Sequence, residues 1–202
     1  MKNRILEIVL ASSNRGKACE IRNILRNLNI NIIPQSEFRI SDVEETGLTF
    51  VENAILKARH ATKISGLPAM ADDSGLVVDA LQGAPGIRSA RYAGENKTDL
   101  DRIHKLLAEL EKTGSTNRHA CFHCVVALML NEKEPAPFIS HGIWAGEILK
   151  APRGSHGFGY DPIFYVPTHH CSAAELPESE KNTISHRAQA LAKLMMFLRN
   201  SC

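Results

Sequence analysis

Three things that commonly announce a protein's partners are missing from this 202-residue chain. It has no apolar run near the ~20 residues that crossing a bilayer takes. Its first apolar run, residues 5–11, is shorter than a signal peptide needs and has Glu7 inside it, so a cytoplasmic protein with no membrane attachment is expected. Charge of one sign is also missing: 24 Lys and Arg face 22 Asp and Glu, and no basic cluster is interleaved with aromatics. That balance argues against a nucleic-acid polymer as partner and leaves a small anionic ligand open. No tail or linker stands out, and 44% hydrophobic residues over this length suit one domain or a compact two-lobed unit over 1–202. The five cysteines, Cys19, Cys121, Cys124, Cys171 and Cys202, are an odd count without an export signal, which points to reduced thiols. Cys121 and Cys124 have a spacing that suits zinc or redox chemistry. They lie, however, inside the apolar stretch 118–130, and zinc would need two more ligands, which Cys171 with His169 and His170 could supply only by a coincidence of folding. A buried strand accounts for them better.

Residues 71–94 hold the densest chemistry. Asp72 and Asp73 follow the apolar run 67–71, where a buried strand is expected to end and pass into a loop. Neighbouring strand side chains point to opposite faces, so one carboxylate can serve as metal ligand or general base while the other is held by backbone donors. Ser74 and Gly75 are expected to turn the chain sharply. Beyond them, Gly83, Pro85, Gly86 and Gly94, with Arg88 and Arg91 in between, suit a rigid loop that approaches an anion closely.

Apolar periodicity sets the other elements. Residues 5–11 read as a strand, 12–17 as a loop and 18–28 as a helix with Ile21, Ile24, Leu25 and Leu28 on one stripe. Free N–H groups at such a helix start attract anions, Ser12 and Asn14 can cap the helix or contact a ligand, and Lys17 adds a point charge after Gly16. The spacing of a P-loop is absent. Residues 30–34 and 40–43 read as short strands. Thr49 caps a helix over 50–64, Glu52 completes a capping box, and Asn53, Lys57 and His60 share a polar face. Residues 76–80 read as a strand and 98–111 as a helix with Leu100, Ile103, Leu106, Leu107 and Leu110 inward; 118–130 and 138–149 read as two long strands. A second glycine-rich loop, 154–161, carries Phe158 and Tyr160 with Asp161 beside them; taken by themselves such aromatics anchor a turn by packing, and the alternative is that they offer faces on which a purine can stack. Ser185 caps a last helix, where His186 and Arg187 oppose the helix dipole, a placement suited to ligand duty. Without strict βαβ alternation, the fold class is mixed α/β.

Five blocks in this order resemble the motifs of one family, the non-canonical purine nucleoside triphosphate pyrophosphatases. They are Ser12-Ser13-Asn14-Arg15-Gly16-Lys17; Glu45-Thr46-Gly47-Leu48-Thr49-Phe50 with Glu52-Asn53-Ala54 and Lys57-Ala58; the 71–94 stretch; Gly157-Phe158-Gly159-Tyr160-Asp161-Pro162; and Lys181 with Ser185-His186-Arg187. They span nearly the whole chain, with one departure, Ser13, where the family usually has glycine. The resemblance implies an elongated mixed sheet with flanking helices, two lobes around a central active-site cleft, a homodimer and a Mg2+ cofactor. It implies a purine nucleoside triphosphate substrate (ITP, dITP or XTP), held at its phosphates by Ser12, Ser13, Asn14, Arg15, Gly16, Lys17 and Lys57, with Ser74 beside Asp73. Phe158, Gly159, Tyr160, Asp161, Lys181, His186 and Arg187 would meet the base. A metal would be held by Asp73 and by Glu44 or Glu45, of which Glu45 stands two residues before Gly47 as the family's glutamate does. Asp73 is also the expected general base for water attacking between the α and β phosphates, which yields monophosphate and pyrophosphate. A non-hydrolytic nucleotide sensor and a Mg2+ phosphatase releasing orthophosphate are the alternatives; the sensor leaves the acidic pair unexplained.

Overall fold

Side chains that are apolar at successive positions need cover on both faces of a strand. Ile8, Val9 and Leu10 are all buried, and β1 (Leu6–Leu10) takes such a place, parallel to β2 (Ile30–Pro34) and to β3 (Ala69–Val78). The computed structural model describes residues 6–201; Ile5 and Cys202 lie outside the described residues. The sheet has seven strands in the order β2-β1-β3-β4-β5-β6-β7, with β4 His119–Met129, β5 Phe138–Ile148, β6 Phe164–Val166 and β7 Cys171–Ser172. β6 runs antiparallel to both β5 and β7, so the sheet is mixed. The helices are α1 (Arg15–Leu25), α2 (Phe50–Ser65), α3 (Asp99–Lys112), α4 (Glu178–Ile184) and α5 (His186–Ser201), and the α/β class is the one expected. No helix among the described residues is long and apolar enough to cross a membrane.

The chain forms two compact units, neither continuous in sequence. The first comprises Met1–Asp73, Cys124–Gly142 and Arg187–Cys202; the second comprises Ser74–His123 and Ile143–His186. In the first unit, alternation along the strands feeds two cores. Ile8, Leu10, Met70, Cys124, Val126 and Leu128 pack with Ile21 and Leu25 of α1 and with Leu191 and Leu194 of α5. Val9, Ala69, Ala71, Val125, Ala127 and Met129 pack with Ala54, Ala58 and Ala61 of α2, whose small side chains let the helix lie close to the sheet. α2 starts at the expected Thr49/Glu52 capping box and stops at Gly66, whose φ of 69° suits glycine. In the second unit, Ile103, Leu106 and Leu110 of α3 pack with Phe122, Trp144 and Phe164.

Local pattern and structure part company at several places. Residues 40–43 form no strand: a 3-10 turn at Gln35–Phe38 leads to Ile40, which is buried by packing in the core under α2 instead of by pairing. α1 begins at Arg15, because the Asn14 side chain accepts from Lys17 N at 3.0 Å and caps the helix earlier; Gly16 and Lys17 are helical. β3 does not end at the aspartates and Ser74-Gly75 makes no turn, since the strand lies between β1 and β4 and sheet pairing overrides local turn preference. Leu100, in the first turn of α3, is exposed rather than inward. The short α4, ahead of α5, adds a helix where only a cap was expected.

Candidate active site

Strand alternation decides the fate of the acidic pair. In the first unit Asp72 points with Met70 toward α1 and α5, and Asp73 points with Ala71 toward α2. Asp72 is 1% exposed and accepts from Arg187 Nη2 at 3.0 Å and Nε at 3.3 Å, with Lys17 Nζ also at 3.3 Å. Arg187 Nη1 reaches Glu20, a second buried carboxylate. Burial works to raise the Asp72 pKa, but the charges of Lys17, Arg187 and Lys57 outweigh it and hold the carboxyl well below the usual range. Burial likewise works to lower that of Arg187, and Asp72 and Glu20 push it up instead. The buried Oδ1 of Asp72 meets no hydrogen-bond donor among the described residues.

Asp73, also buried, meets a different set. Lys57 Nζ lies 2.8 Å from Asp73 Oδ1 and 2.9 Å from Glu45 Oε1. Asn53 donates to Asp73 Oδ2 at 3.4 Å, while its own Oδ1 accepts from Gly47 N at 2.8 Å. A Cβ on Gly47 would fall 2.6 Å from Glu52 Cβ and 2.7 Å from Asn53 Oδ1, so only glycine lets this turn pack against α2 and bring Glu45 to Lys57. Burial raises the Asp73 pKa, more than Lys57 and Lys17 lower it. For Lys57 burial works downward, yet Asp73, Asp72 and Glu45 carry it up. One 2.8 Å contact thus coexists with two raised values, because Lys57 faces three carboxylates whereas burial, and after it the like charge of Glu45, outweighs the lysines at Asp73. Lys57 stays charged, and Asp73 is a stronger base than an ordinary aspartate.

Glu45 and Asp73 are hard oxygen donors gathered on one positive charge, a donor set of the kind Mg2+ takes when water and phosphate complete its shell. Glu44 is exposed. Among the described residues no group of three or more His, Cys, Asp or Glu is arranged to hold a metal ion. Cys121 and Cys124 sit on β4, three residues apart and so on opposite faces; burial pushes the Cys124 thiol up to about 12. A cavity of about 780 Å³ is lined by Ser12, Ser13, Asn14 and Arg15 together with further residues of α1 and of the 34–42 segment; Lys17, Lys57, Asp72 and Asp73 are not part of its lining.

In the second unit, Phe158 N donates to Asp161 Oδ2 at 2.9 Å, and Lys181 Nζ lies 2.5 Å from the same oxygen and 5.0 Å from the Phe158 ring centre. Gly157, at φ 74°, makes room: a Cβ there would fall 2.1 Å from Asp161 Oδ2. Gly159 N donates to Asp99 Oδ2 at 2.7 Å, and the buried Tyr160 donates its hydroxyl to Ser89 O at 3.0 Å.

The Ham1 family profile matches residues 8–197. The chain belongs to the Ham1 family. It is 61% identical over 194 residues to the dITP/XTP pyrophosphatase of Coxiella burnetii, covering 96% of this chain and 97% of that one. Its identity to the dITP/XTP pyrophosphatase of Photobacterium profundum is 50% over 195 residues, with 96% and 99% covered. The solved structure of a HAM1 protein from Coxiella burnetii matches with a TM-score of 0.92 and 60% identity, over 97% of this chain and 100% of that one.

In this Ham1-family chain Lys17, Lys57, Asp73 and Glu45 come together in one unit, whereas Phe158, Gly159, Asp161 and Lys181 come together in the other. Ser13, Asn14 and Arg15 are exposed at the start of α1, Ser12 and Gly16 half-buried, and Ser74 half-buried within β3. Three of the residues expected at the base, Arg187, His186 and Tyr160, are buried. Arg187 is not presented to a ligand at a helix start: its side chain is 2% exposed and committed to Asp72 and Glu20. His186 is buried with its ring stacked on Phe122, centroids 4.7 Å apart at 10°. Tyr160 is a core residue anchored through its hydroxyl, not an open stacking face. Arg88 and Arg91 are exposed on a 3-10 turn. Sequence reasoning missed Glu20, Asn53 as a partner of Asp73, and Asp99. Glu20 had a signal, an acid beside Ile21 three residues after Lys17; Asp99 had none, because its partner is 60 residues away.

Proposed function

We propose that this protein hydrolyses dITP, XTP and ITP to the monophosphate and pyrophosphate, removing them from the nucleotide pool. Its membership of the Ham1 family and its 50–61% identity to dITP/XTP pyrophosphatases support the substrate class. The observation that carries the chemistry is Asp73, a buried carboxylate with a raised pKa held between Lys57 and Asn53. In this reading water forms the new P–O bond, the bridging α–β P–O bond breaks to release pyrophosphate, and the water's proton passes to the Asp73 carboxylate. Lys57 keeps Asp73 and Glu45 in place and offers its ammonium to phosphate oxygens. The free N–H groups at the start of α1, with Lys17, take the rest of the triphosphate. Asp73 and Glu45 would hold Mg2+, which supplies charge neutralisation to the phosphate oxygens.

For the base, Lys181 is the donor that suits a 6-keto oxygen, and Phe158 offers the stacking face. The 6-amino group of adenine would leave that donor unpaired, at a cost of about 1–3 kcal/mol. Arg187 supports Asp72 and does not read the base. The family resemblance also carries a homodimer in the cytoplasm, which light scattering on the purified protein and fractionation of cells would test. The central experiment is turnover of ITP, dITP, XTP and ATP with products identified by phosphorus NMR. Pyrophosphate from the 6-keto substrates and little turnover of ATP is the expected result; orthophosphate as sole product, or equal use of ATP, would sink the reading.

A further inference from the structure

Two consecutive backbone N–H groups of the loop that carries Phe158 end on carboxylates. Phe158 N donates to Asp161, and Gly159 N donates to Asp99 Oδ2 at 2.7 Å. Asp99 is the first residue of α3, and its other oxygen is held by Arg102 Nη2 at 2.5 Å. Arg102 is tied down in turn, donating through Nη1 to Ala90 O at 3.0 Å and to Lys97 O at 2.6 Å. The helix does not need Asp99 as its cap. Thr98 and Asp101 already form a complete capping box, Thr98 N donating to Asp101 at 2.9 Å and Asp101 N to Thr98 Oγ1 at 3.2 Å.

The peptide before Phe158 carries the N–H given to Asp161, and the peptide after it carries the N–H given to Asp99. Holding both peptide planes sets φ and ψ of Phe158 and leaves the ring only its own side-chain torsions. Asp161 also holds Lys181, so the ring and the ammonium share one frame. We propose that Asp99 is a positioning residue for base recognition, acting through the Gly159 N–H to fix the aromatic face that Phe158 offers to a purine. The proposal rests on the pyrophosphatase reading for its substrate. The contact itself is charge-assisted and short, the kind whose loss a loop feels most.

The test compares Asp99→Ala with Asp99→Asn, which keeps an acceptor oxygen. Binding is measured calorimetrically with inosine monophosphate as the base probe and inorganic triphosphate as the phosphate probe. Asp99→Ala should weaken inosine monophosphate about tenfold and leave triphosphate within about twofold, whereas Asp99→Asn should recover most of the loss. KM for ITP should rise in the same proportion, with kcat changing less. The Gly159 amide should exchange faster with solvent in Asp99→Ala, by NMR. Unchanged inosine monophosphate affinity in a folded Asp99→Ala, equal weakening of both probes, or retained Gly159 protection would each overturn the proposal. Failure of the pyrophosphatase reading looks different: the wild type then turns over no ITP, and Gly159 exchange still decides whether Asp99 holds the loop.

Discussion

Replacing Arg187 by alanine tests whether this side chain serves as a buried counter-ion or as a base-reading donor. Arg187 is the cation shared by two buried carboxylates, Asp72 with a side chain 0% exposed and Glu20 with one 9% exposed. Removing one partner of a buried pair leaves a charge without compensation and costs about 3–5 kcal/mol. Lys17 remains 3.3 Å from Asp72 and offsets part of that, so the loss should lie near the lower end of the range. For a chain of this size, each kcal/mol moves Tm by about 2–4 °C, which places the expected drop at roughly 6–12 °C. Urea melts give the free energy directly. Adding Asp72→Asn and Glu20→Gln to Arg187→Ala should recover more than half of the loss, because the carboxylates left unpaired are then gone. Discrimination between ITP and ATP should survive in the Arg187→Ala protein below its melting temperature. The reasoning fails if Arg187→Ala melts within about 1 kcal/mol of wild type while the ITP preference collapses, since that pattern belongs to a base-reading donor.

Asp73→Asn should abolish turnover by several orders of magnitude and yet melt no lower than wild type at neutral pH. The sign follows from its raised pKa: the folded state holds the Asp73 proton more tightly than the unfolded chain, so ionising it at neutral pH destabilises the fold, and the amide removes that cost. A folded Asn variant with substantial activity would dismiss Asp73 as the base. The Asp72 pKa is shifted the other way, so its contribution is complete above the ordinary value of 3.8 and is lost as pH falls below it. Acid unfolding followed by circular dichroism should therefore be shallower in Asp72→Asn than in wild type, and parallel curves would refute this. Finally, Cys121→Ala with Cys124→Val should leave kcat near wild type, as expected of strand residues that pack as small hydrophobes; stoichiometric zinc lost together with activity would show otherwise.

Much of the fold was legible because the forces that place it act within a few residues. Residues 30–34 form the expected strand, and α2 starts at the expected capping box of Thr49 with Glu52, a contact that reaches only three positions along the chain. The five motif blocks also identified the family to which the chain belongs. What the chain alone did not determine is where those side chains point and what they meet. Asp72 and Asp73 are equivalent as letters. They part only because β3 runs straight through them in a sheet with α1 and α5 packed on one face and α2 on the other. Asp72 then finds Arg187, 115 residues away, and is locked as a charged structural group; Asp73 finds Lys57 and Glu45 and keeps a raised pKa. Tyr160 and Arg187 lie in recognisable motifs, yet one is a buried anchor and the other a buried counter-ion. Burial and electrostatic pairing are properties of the whole packing, and no local window contains them.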